Sequence, residues 1–231
     1  MPPRALEPAG VALVDKPSGP SSFAVVAQIR KLTGARTGHA GTLDPFATGL
    51  LLLLSGRATK LTPWLVGLDK RYRTKIDLTC QTSTGDPEGE VVERHAFPSE
   101  DELGERLEGL RGEVELPIPA ASAVKIGGER AYRLARRGVE VEMPVRQSQV
   151  HALEVIAYTG ESVTIDVRVS SGTYVRSLAT ALGGHCATLR RTEVGPFSVE
   201  DAVAPDAFAP ERLLSEADVL ERVEAARATD A

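Results

Sequence analysis

Apolar positions recur along the chain with the periods of strands and helices, separated by glycine-rich loops. The segment VALVD near the start predicts a buried strand. Ser21 or Ser22 then offers an N-cap to a helix that ends before Gly34. The apolar face of this predicted helix consists of Val25, Val26, Ile29 and Leu32. A strand, a turn and a helix are therefore expected to open the fold.

Strict alternation marks the strands of the rest of the chain. In RYRTKIDLTC one predicted face carries Tyr72, Thr74, Ile76, Leu78 and Cys80. The segments LLLLL, VHALEVIAY and SVTIDVRVS also read as strands, and Tyr174 to Leu182 has a helical pattern. Ser99 and Glu102 have capping-box spacing ahead of a surface helix that should close near Gly112. Strands and scattered helices without regular alternation predict a mixed α+β fold.

Composition limits the class of protein. With 42% hydrophobic and 26% charged residues among 231, the sequence is typical of a folded, water-soluble chain. The start MPPRALEPAG has no apolar signal core, and the apolar run from Leu50 to Leu54 is too short to span a bilayer. Cys80 and Cys186 lack the spacing of a zinc site or disulfide framework, which favours a reducing cytoplasm. No membrane association is expected.

The net charge of -5 hides a strong segregation of charge. Between Asp15 and Asp69 the one acidic residue is Asp44, whereas six basic residues lie there: Lys16, Arg30, Lys31, Arg36, Arg57 and Lys60. A second acid-free window, from Val167 to Thr192, carries Arg168, Arg176, Arg190 and Arg191. These windows predict a positive local surface on an acidic protein, which is what a polyanion would meet.

Asp44 is the first candidate for chemistry. It is a lone carboxylate in the basic, glycine-rich stretch ARTGHAGTLDPFATG, where positive neighbours would keep it ionised as a nucleophile or base. A plainer interpretation is that Asp44 caps a turn that begins at Pro45. His39, Thr42 and the surrounding glycines favour a site, because glycine lets a ligand approach the backbone closely. The cap and the catalyst can coexist.

Other enzyme classes find little support. His39 and Asp44 could be two metal ligands, but a site needs three or four, and His95, His151 and His185 show no ligand spacing. The sequence has no phosphate-binding loop, dinucleotide fingerprint or nucleophile elbow. No metal and no cofactor is therefore expected.

Five motifs in order give the sequence a family resemblance. GVALVDKPSGPSS, GHAGTLDPFATGLL, KRY, SSGTYVRSLA and LRRTEVGPF together resemble the bacterial tRNA pseudouridine-55 synthase family, TruB, from about Gly10 to about Phe197. The resemblance implies a pseudouridine synthase catalytic fold, with a mixed, mostly antiparallel sheet flanked by helices and an RNA-binding insertion. It also implies that Asp44 of GTLDP is the catalytic aspartate.

The resemblance assigns two partners to Asp44. Tyr72 of KRY would stack on a uridine base extruded from the RNA, and Arg176 of GTYVRSL would pair with Asp44 and orient it. Without the resemblance, Tyr72 would be an ordinary core aromatic and Arg176 an exposed charge at a helix end.

Three substrate-binding residues follow from the same motifs. His39 resembles the histidine that occupies space near the flipped nucleotide, and Lys16 resembles a lysine that supports the active-site loop. Leu189 matches an apolar residue of the pocket. The alternatives are a structural histidine, a solvated turn charge and a leucine buried for packing alone.

The stretch from Lys125 to Arg146 has six basic residues and three acidic ones. In the family it resembles, this stretch is an insertion that folds over the RNA stem-loop. Arg136 and Arg137 are the expected phosphate contacts, and the alternative is a solvated helix face. We therefore expect a catalytic domain over residues 1–200, with this insertion at about 125–146.

Residues 201–231 are expected to form a short acidic tail or helix, with no full C-terminal RNA-binding domain. The function implied is isomerisation of the T-loop uridine at position 55 of tRNA by a monomer, with the tRNA T-stem-loop as partner. A non-catalytic RNA-binding or tRNA-folding module and a metal-dependent phosphohydrolase built on His39 and Asp44 are the rival hypotheses.

Overall fold

A computed structural model describes residues 8–94, 96–137, 139 and 141–229. Six α-helices are described: α1 Ser22–Thr33, α2 Thr62–Val66, α3 Glu100–Glu108, α4 Ala131–Arg136, α5 Val175–Ala181 and α6 Glu216–Thr229. The strands of the main sheet are β1 Gly10–Lys16, β2 Thr37–His39, β3 Thr48–Ser55, β4 Lys70–Asp77, β7 Gly112–Pro117, β10 Val145–Tyr158, β11 Ser162–Val169, β12 His185–Val194 and β13 Phe197–Ser198. Two short hairpins pair β5 Cys80–Thr82 with β6 Val91–Arg94, and β8 Lys125–Ile126 with β9 Glu129–Arg130.

The chain forms two compact units. Unit 1 takes in the chain up to Arg71 and from Arg190 onwards, and unit 2 is Tyr72–Leu189. In unit 1, β3 pairs antiparallel with β1 and β2 and parallel with the end of β12. In unit 2, β10 pairs antiparallel with both β11 and β7. The sheet is therefore mixed, as the sequence predicts.

Helix α1 shows how local signals determine an element. Ser21 accepts a hydrogen bond from the backbone N–H of Ala24, and Gly34 ends the helix in the left-handed conformation. Val25, Val26 and Ile29 are buried as predicted, but Leu32 is exposed, because Thr33 takes the buried position of the last turn. Leu32 therefore does not belong to the buried face of the helix, contrary to the prediction.

Two further predicted features, the alternation of β4 and the capping box of α3, are present in the structure. The alternation of β4 buries Tyr72, Thr74 and Ile76 on one face. The capping box of α3 is present, although the helix ends at Glu108, earlier than the expected position near Gly112.

The C-terminal segment completes the core of unit 1. Its backbone pairs with β1 through Leu214 and Val203, and α6 contributes Val219 and Val223 to the cluster that contains Leu50 and its neighbours on β3. The acidic segment is therefore part of the packed unit. Among the described residues, no helix is both long enough and apolar enough to cross a membrane.

Candidate functional site

The loop at residues 40–47, here called the Asp44 loop, connects β2 to β3 and is anchored on both sides of Asp44. On the N-terminal side of Asp44, the hydroxyl of Ser22 donates a hydrogen bond to the carbonyl of Leu43 and accepts one from the N–H of Leu43, both at 2.8 Å. On the C-terminal side of Asp44, the carbonyl of Pro45 accepts a hydrogen bond from the N–H of Gly19 at 2.9 Å. Asp44 itself is half-buried, and no helix starts at Pro45. The loop therefore presents the carboxylate from a fixed backbone.

Lys16 is fully buried beneath this loop. Its ammonium group donates to the carbonyls of Pro17, Pro45 and Ala47, at 2.9, 3.1 and 2.7 Å. Carbonyl oxygens at these distances replace the water that a buried ammonium loses. Lys16 is thus a structural cation of the Asp44 loop, and the interpretation as a solvated turn charge was wrong.

Arg191 is a second buried cation of unit 1, with 1% of its surface exposed. It donates to the carbonyl of Leu50 at 2.7 Å and to that of Gly41 at 3.1 Å. At Gly49, which has φ +105°, a Cβ would lie 2.2 Å from the Arg191 carbonyl oxygen. Only glycine permits this approach of β3 to β12. Arg191 therefore ties the start of the Asp44 loop to the sheet.

Three of the four arginines in the second acid-free window are buried or paired, and the fourth, Arg168, is half-buried. Arg190 makes a two-pronged ion pair with Asp15, at 3.0 and 2.9 Å, while Arg191 and Arg176 are buried. The carboxylate of Asp15 neutralises Arg190, whereas the carbonyls around Arg191 satisfy its hydrogen bonds and leave its positive charge in place. Sequence reasoning missed this because the neutralising groups lie far away along the chain.

His39 lies at the end of β2, half-buried, with its ring edge-to-face against Phe23 at a centroid distance of 5.2 Å. Burial lowers the pKa of His39, and the charge of Arg191 lowers it further. Its Nδ1 atom is buried without a hydrogen-bond partner in the described structure. An N–H there would be an unpaired donor, so we assign the proton of the neutral ring to Nε2.

Lys70, the first residue of the KRY motif, is also buried in unit 1. It donates to the carbonyls of Val66 and Leu68. Burial and the charge of Arg191 lower its pKa to about 8, against a smaller opposing effect of Asp69.

Tyr72 and Leu189 belong to unit 2, on β4 and β12. Tyr72 is 8% exposed and Leu189 is 7% exposed. The hydroxyl of Thr74 donates to the carbonyl of Thr188 at 2.7 Å, which connects the two strands next to these residues. Both side chains lie on a scaffold of paired strands.

Arg176, on α5 of unit 2, is 3% exposed, so the interpretation as an exposed helix-end charge was wrong. It donates to the carbonyls of Thr84 and Ala121 at 2.7 and 3.0 Å and pairs with Asp86 at 3.3 Å. Asp86 is buried as well, and accepts from the Thr84 hydroxyl and the N–H of Glu88. Sequence reasoning did not find Asp86. The pairing of Arg176 with Asp44 stays a prediction.

The described part of the insertion, residues 125–146, contains the β8–β9 hairpin, α4 and the first two residues of β10. Arg137 is exposed and pairs with Glu129 at 2.8 Å, while the side chain of Arg136 lies outside the described residues. Among the described side chains of the insertion, Ala131 alone is buried.

One group of possible metal ligands is found among the described residues: Asp77, Cys80 and His185 of unit 2, with donor atoms within 4.8 Å of one another. It contains neither His39 nor Asp44. Nδ1 of His185 already lies 3.1 Å from the carbonyl of Cys80, and the carboxylate of Asp77 accepts two hydrogen bonds from Thr79. Local hydrogen bonding accounts for this arrangement, and we assign no metal to it.

Comparisons with known proteins give a consistent result. Residues 29–175 match the model of the TruB family pseudouridylate synthase, N-terminal domain. A protein of Mycobacterium sp. (strain KMS), named tRNA pseudouridine synthase B, is 43% identical over 219 residues, which cover 89% of this chain and 74% of the relative. Proteins of the same name from Bordetella avium and Thermobifida fusca are 44% and 45% identical, covering 86% and 87% of this chain and 86% and 75% of the relatives.

Solved structures agree on the fold. A Cbf5-Nop10-Gar1 complex contains a chain that is 30% identical over 84% of this chain, with a TM-score of 0.65. An H/ACA RNP bound to a substrate RNA containing 2'-deoxyuridine matches with 27% identity over 86% of the chain and a TM-score of 0.63. This chain spans about half the length of those proteins, 52% and 51%. These matches confirm the predicted pseudouridine synthase fold, and the chain belongs to the TruB family of pseudouridylate synthases.

Proposed function

We propose that this chain converts the T-loop uridine at position 55 of tRNA to pseudouridine, with Asp44 as the catalytic carboxylate. Family membership and the name shared by its relatives make it a tRNA pseudouridine synthase, an isomerase. The observation that carries the role of Asp44 is the anchoring of its loop, in which Lys16 and Ser22 hold the backbone on both sides of the carboxylate. Preorganisation of this kind is what a reacting group requires.

The reaction breaks the bond from uracil N1 to ribose C1′ and forms a bond from C5 to C1′. C5 loses a proton and N1 gains one, so the atoms balance without any other reactant. An ionised Asp44 can attack the sugar, attack the ring or remove a sugar proton, since all three routes begin from the same carboxylate.

Tyr72 and Arg176 complete the proposed site. Tyr72 would stack on the extruded uracil, and its rigid position on β4 suits that role. Arg176 would pair with Asp44. Within unit 2, Asp86 and two carbonyls hold the guanidinium in a fixed orientation, which suits a group that orients a carboxylate.

The remaining proposed residues would support the site or bind the RNA. His39 and Leu189 would line the nucleotide pocket, and Lys16 would support it by holding the Asp44 loop. Arg136 and Arg137 of the insertion would contact phosphates of the T-stem-loop. Contacts of this kind position RNA without reading its sequence. We further propose that the chain acts as a monomer in the cytoplasm, a setting consistent with its two buried cysteines, which form no disulfide.

The test is pseudouridine mapping on unmodified tRNA, with excess chelator present throughout. Wild type is compared with Asp44→Asn and with Asp206→Asn, a matched change at an exposed carboxylate of unit 1. We expect pseudouridine at position 55 with wild type and Asp206→Asn, and none with Asp44→Asn. Tight tRNA binding without pseudouridine by all three proteins would favour a non-catalytic RNA-binding module. A parallel set of reactions omits the chelator, and wild-type activity seen only in that set would favour a metal-dependent enzyme.

A further inference from the structure

Phe23 is an exposed aromatic residue that the core of unit 1 does not explain. It lies in the first turn of α1, and 70% of its surface is accessible, whereas Val25, Val26 and Ile29 of the same helix are buried. Single exposed apolar side chains are common on protein surfaces, so the exposure of Phe23 matters here because of what lies beside it.

The position of Phe23 is fixed relative to Asp44. Its chain neighbour Ser22 makes two hydrogen bonds of 2.8 Å to the backbone of Leu43, the residue before Asp44. The ring of Phe23 also lies edge-to-face with His39, at 5.2 Å and an interplanar angle of 80°. Aromatic pairs of this geometry hold each other's orientation. Phe23 and His39 thus form one aromatic surface beside the Asp44 loop.

The charge around this surface suits a polyanion. The first turn of α1 has no acidic residue, and its N-terminus is capped by the neutral Ser21. Helix N-termini carry a partial positive charge that favours phosphate nearby. Helix α1 as a whole has no acidic residue, and its two basic residues, Arg30 and Lys31, are both exposed. An unpaired nucleobase offers a flat apolar face and brings phosphates with it, so it matches both features.

We propose that Phe23, with the ring of His39 behind it, binds an unpaired base of the RNA substrate adjacent to the uridine that reacts at Asp44. The inference rests on the proposed function and extends it to a residue outside the family motifs quoted above. Neutral His39, protonated on Nε2, presents a hydrogen-bond donor to the same base or its ribose. The surface would hold the loop of the RNA open while the uridine is extruded.

The first experiment compares steady-state pseudouridine formation by wild type, Phe23→Ala, Phe23→Tyr and Leu32→Ala. Leu32 is the matched control, because it is 48% exposed on the same helix. Loss of a stacked base should raise KM for tRNA by about 5- to 100-fold in Phe23→Ala. Phe23→Tyr should stay close to wild type, and all melting temperatures should agree within a few degrees. Unchanged kinetics in Phe23→Ala would overturn the proposal.

A second experiment reports on stacking without turnover. Trp64 is the one tryptophan of the sequence, so Trp64→Phe provides a dark background for Phe23→Trp. Addition of a T-stem-loop RNA should quench the fluorescence of the new indole, and a fully double-stranded RNA of equal length should not. Equal quenching by both RNAs, or none by either, would overturn the proposal.

The two experiments separate the possible failures. A wild type that forms no pseudouridine contradicts the proposed function, while quenching still tests the surface. Self-association that disappears in Phe23→Ala, with RNA binding unchanged, would assign the surface to a second copy of the chain instead.

Discussion

The Asp44 loop and the insertion contrast in how the protein holds them. The Asp44 loop has buried side chains on both sides of Asp44, and two internal cations bind its backbone. The insertion has one buried residue among its described side chains, and its Arg137 pairs with a half-exposed Glu129. One segment is fixed before any substrate arrives, and the other is held by contacts that water can replace.

This contrast matches the demands of the two tasks. A group that reacts must be positioned within fractions of an ångström, so rigidity contributes directly to the rate. A segment that follows an RNA backbone gains from adjusting to it, at the cost of ordering on binding. Substitutions in the two segments should therefore change different quantities.

The largest structural effect is expected at Lys16. Lys16→Met removes the ammonium group that donates to the carbonyls of Pro17, Pro45 and Ala47, while Pro45 keeps the N–H of Gly19; this should lower the free energy of unfolding by about 2–4 kcal/mol. The displaced Asp44 loop should also lower kcat by about 10²-fold or more. Lys31→Met, at an exposed position of α1, should change neither quantity. Equal effects of the two substitutions would show that the loop does not depend on its buried cation.

Arg191→Met should release the other end of the loop and also remove a positive charge near His39. Because Arg191 adds to the effect of burial in lowering the pKa of His39, that pKa should rise in the variant. Imidazole signals in an NMR titration measure this directly. Arg190→Met, the neighbouring residue whose guanidinium pairs with Asp15, is the control. A pKa of His39 that does not move would contradict the assigned electrostatics.

The pH dependence of stability tests the electrostatics of Lys70, a further buried cation of unit 1. Its pKa of about 8 in the folded state lies below the ordinary value of lysine, so the unfolded chain binds more protons above pH 8. The free energy of unfolding of wild type should therefore rise, relative to Lys70→Met, as pH increases from about 8 towards 10. Chemical denaturation across this range measures the difference. For the control Lys60→Met, at an exposed site, the free energy of unfolding should follow the same pH dependence as that of wild type. If Lys70→Met also follows the pH dependence of wild type, the assigned pKa is wrong.

The smallest effect is expected in the insertion. Arg137→Gln should weaken tRNA binding a few-fold and reduce the slope of log Kd against log salt by about 1, with stability unchanged. Arg111→Gln removes a similar exposed ion pair, with Glu108, elsewhere in unit 2. Both variants are compared in binding titrations at several salt concentrations. Two results would contradict the difference between the Asp44 loop and the insertion: a loss of stability in Arg137→Gln, or equal changes in tRNA binding in Arg137→Gln and Arg111→Gln.

Local features of the fold could be predicted from the sequence. The caps of α1, the alternation of β4 and the capping box of α3 depend on residues a few positions apart, and all three were found. The family motifs likewise singled out Asp44 as the candidate catalytic residue, and that role stays a prediction. Leu32 shows the limit, because its exposure depends on what the end of the helix meets.

The partners of the buried and paired arginines could not be predicted. Arg191 and Arg190 looked like surface charges, but their partners Gly41, Leu50 and Asp15 come from distant parts of the chain. Asp86, which pairs with Arg176, lies outside the five sequence motifs, so nothing near it in the sequence indicated its role. Charge windows in a sequence count residues, whereas the potential outside a protein depends on which of them remain unpaired.

The central claim is that Asp44 acts in the chemical step and not in binding. Single-turnover pseudouridine formation, with wild type and Asp44→Asn in excess over unmodified tRNA, separates the two, while binding is titrated in parallel. The account predicts that Asp44→Asn binds tRNA within a few-fold of wild type and loses rate on the order of 10⁴-fold or more. A variant that still forms pseudouridine at a rate close to that of wild type would contradict the account.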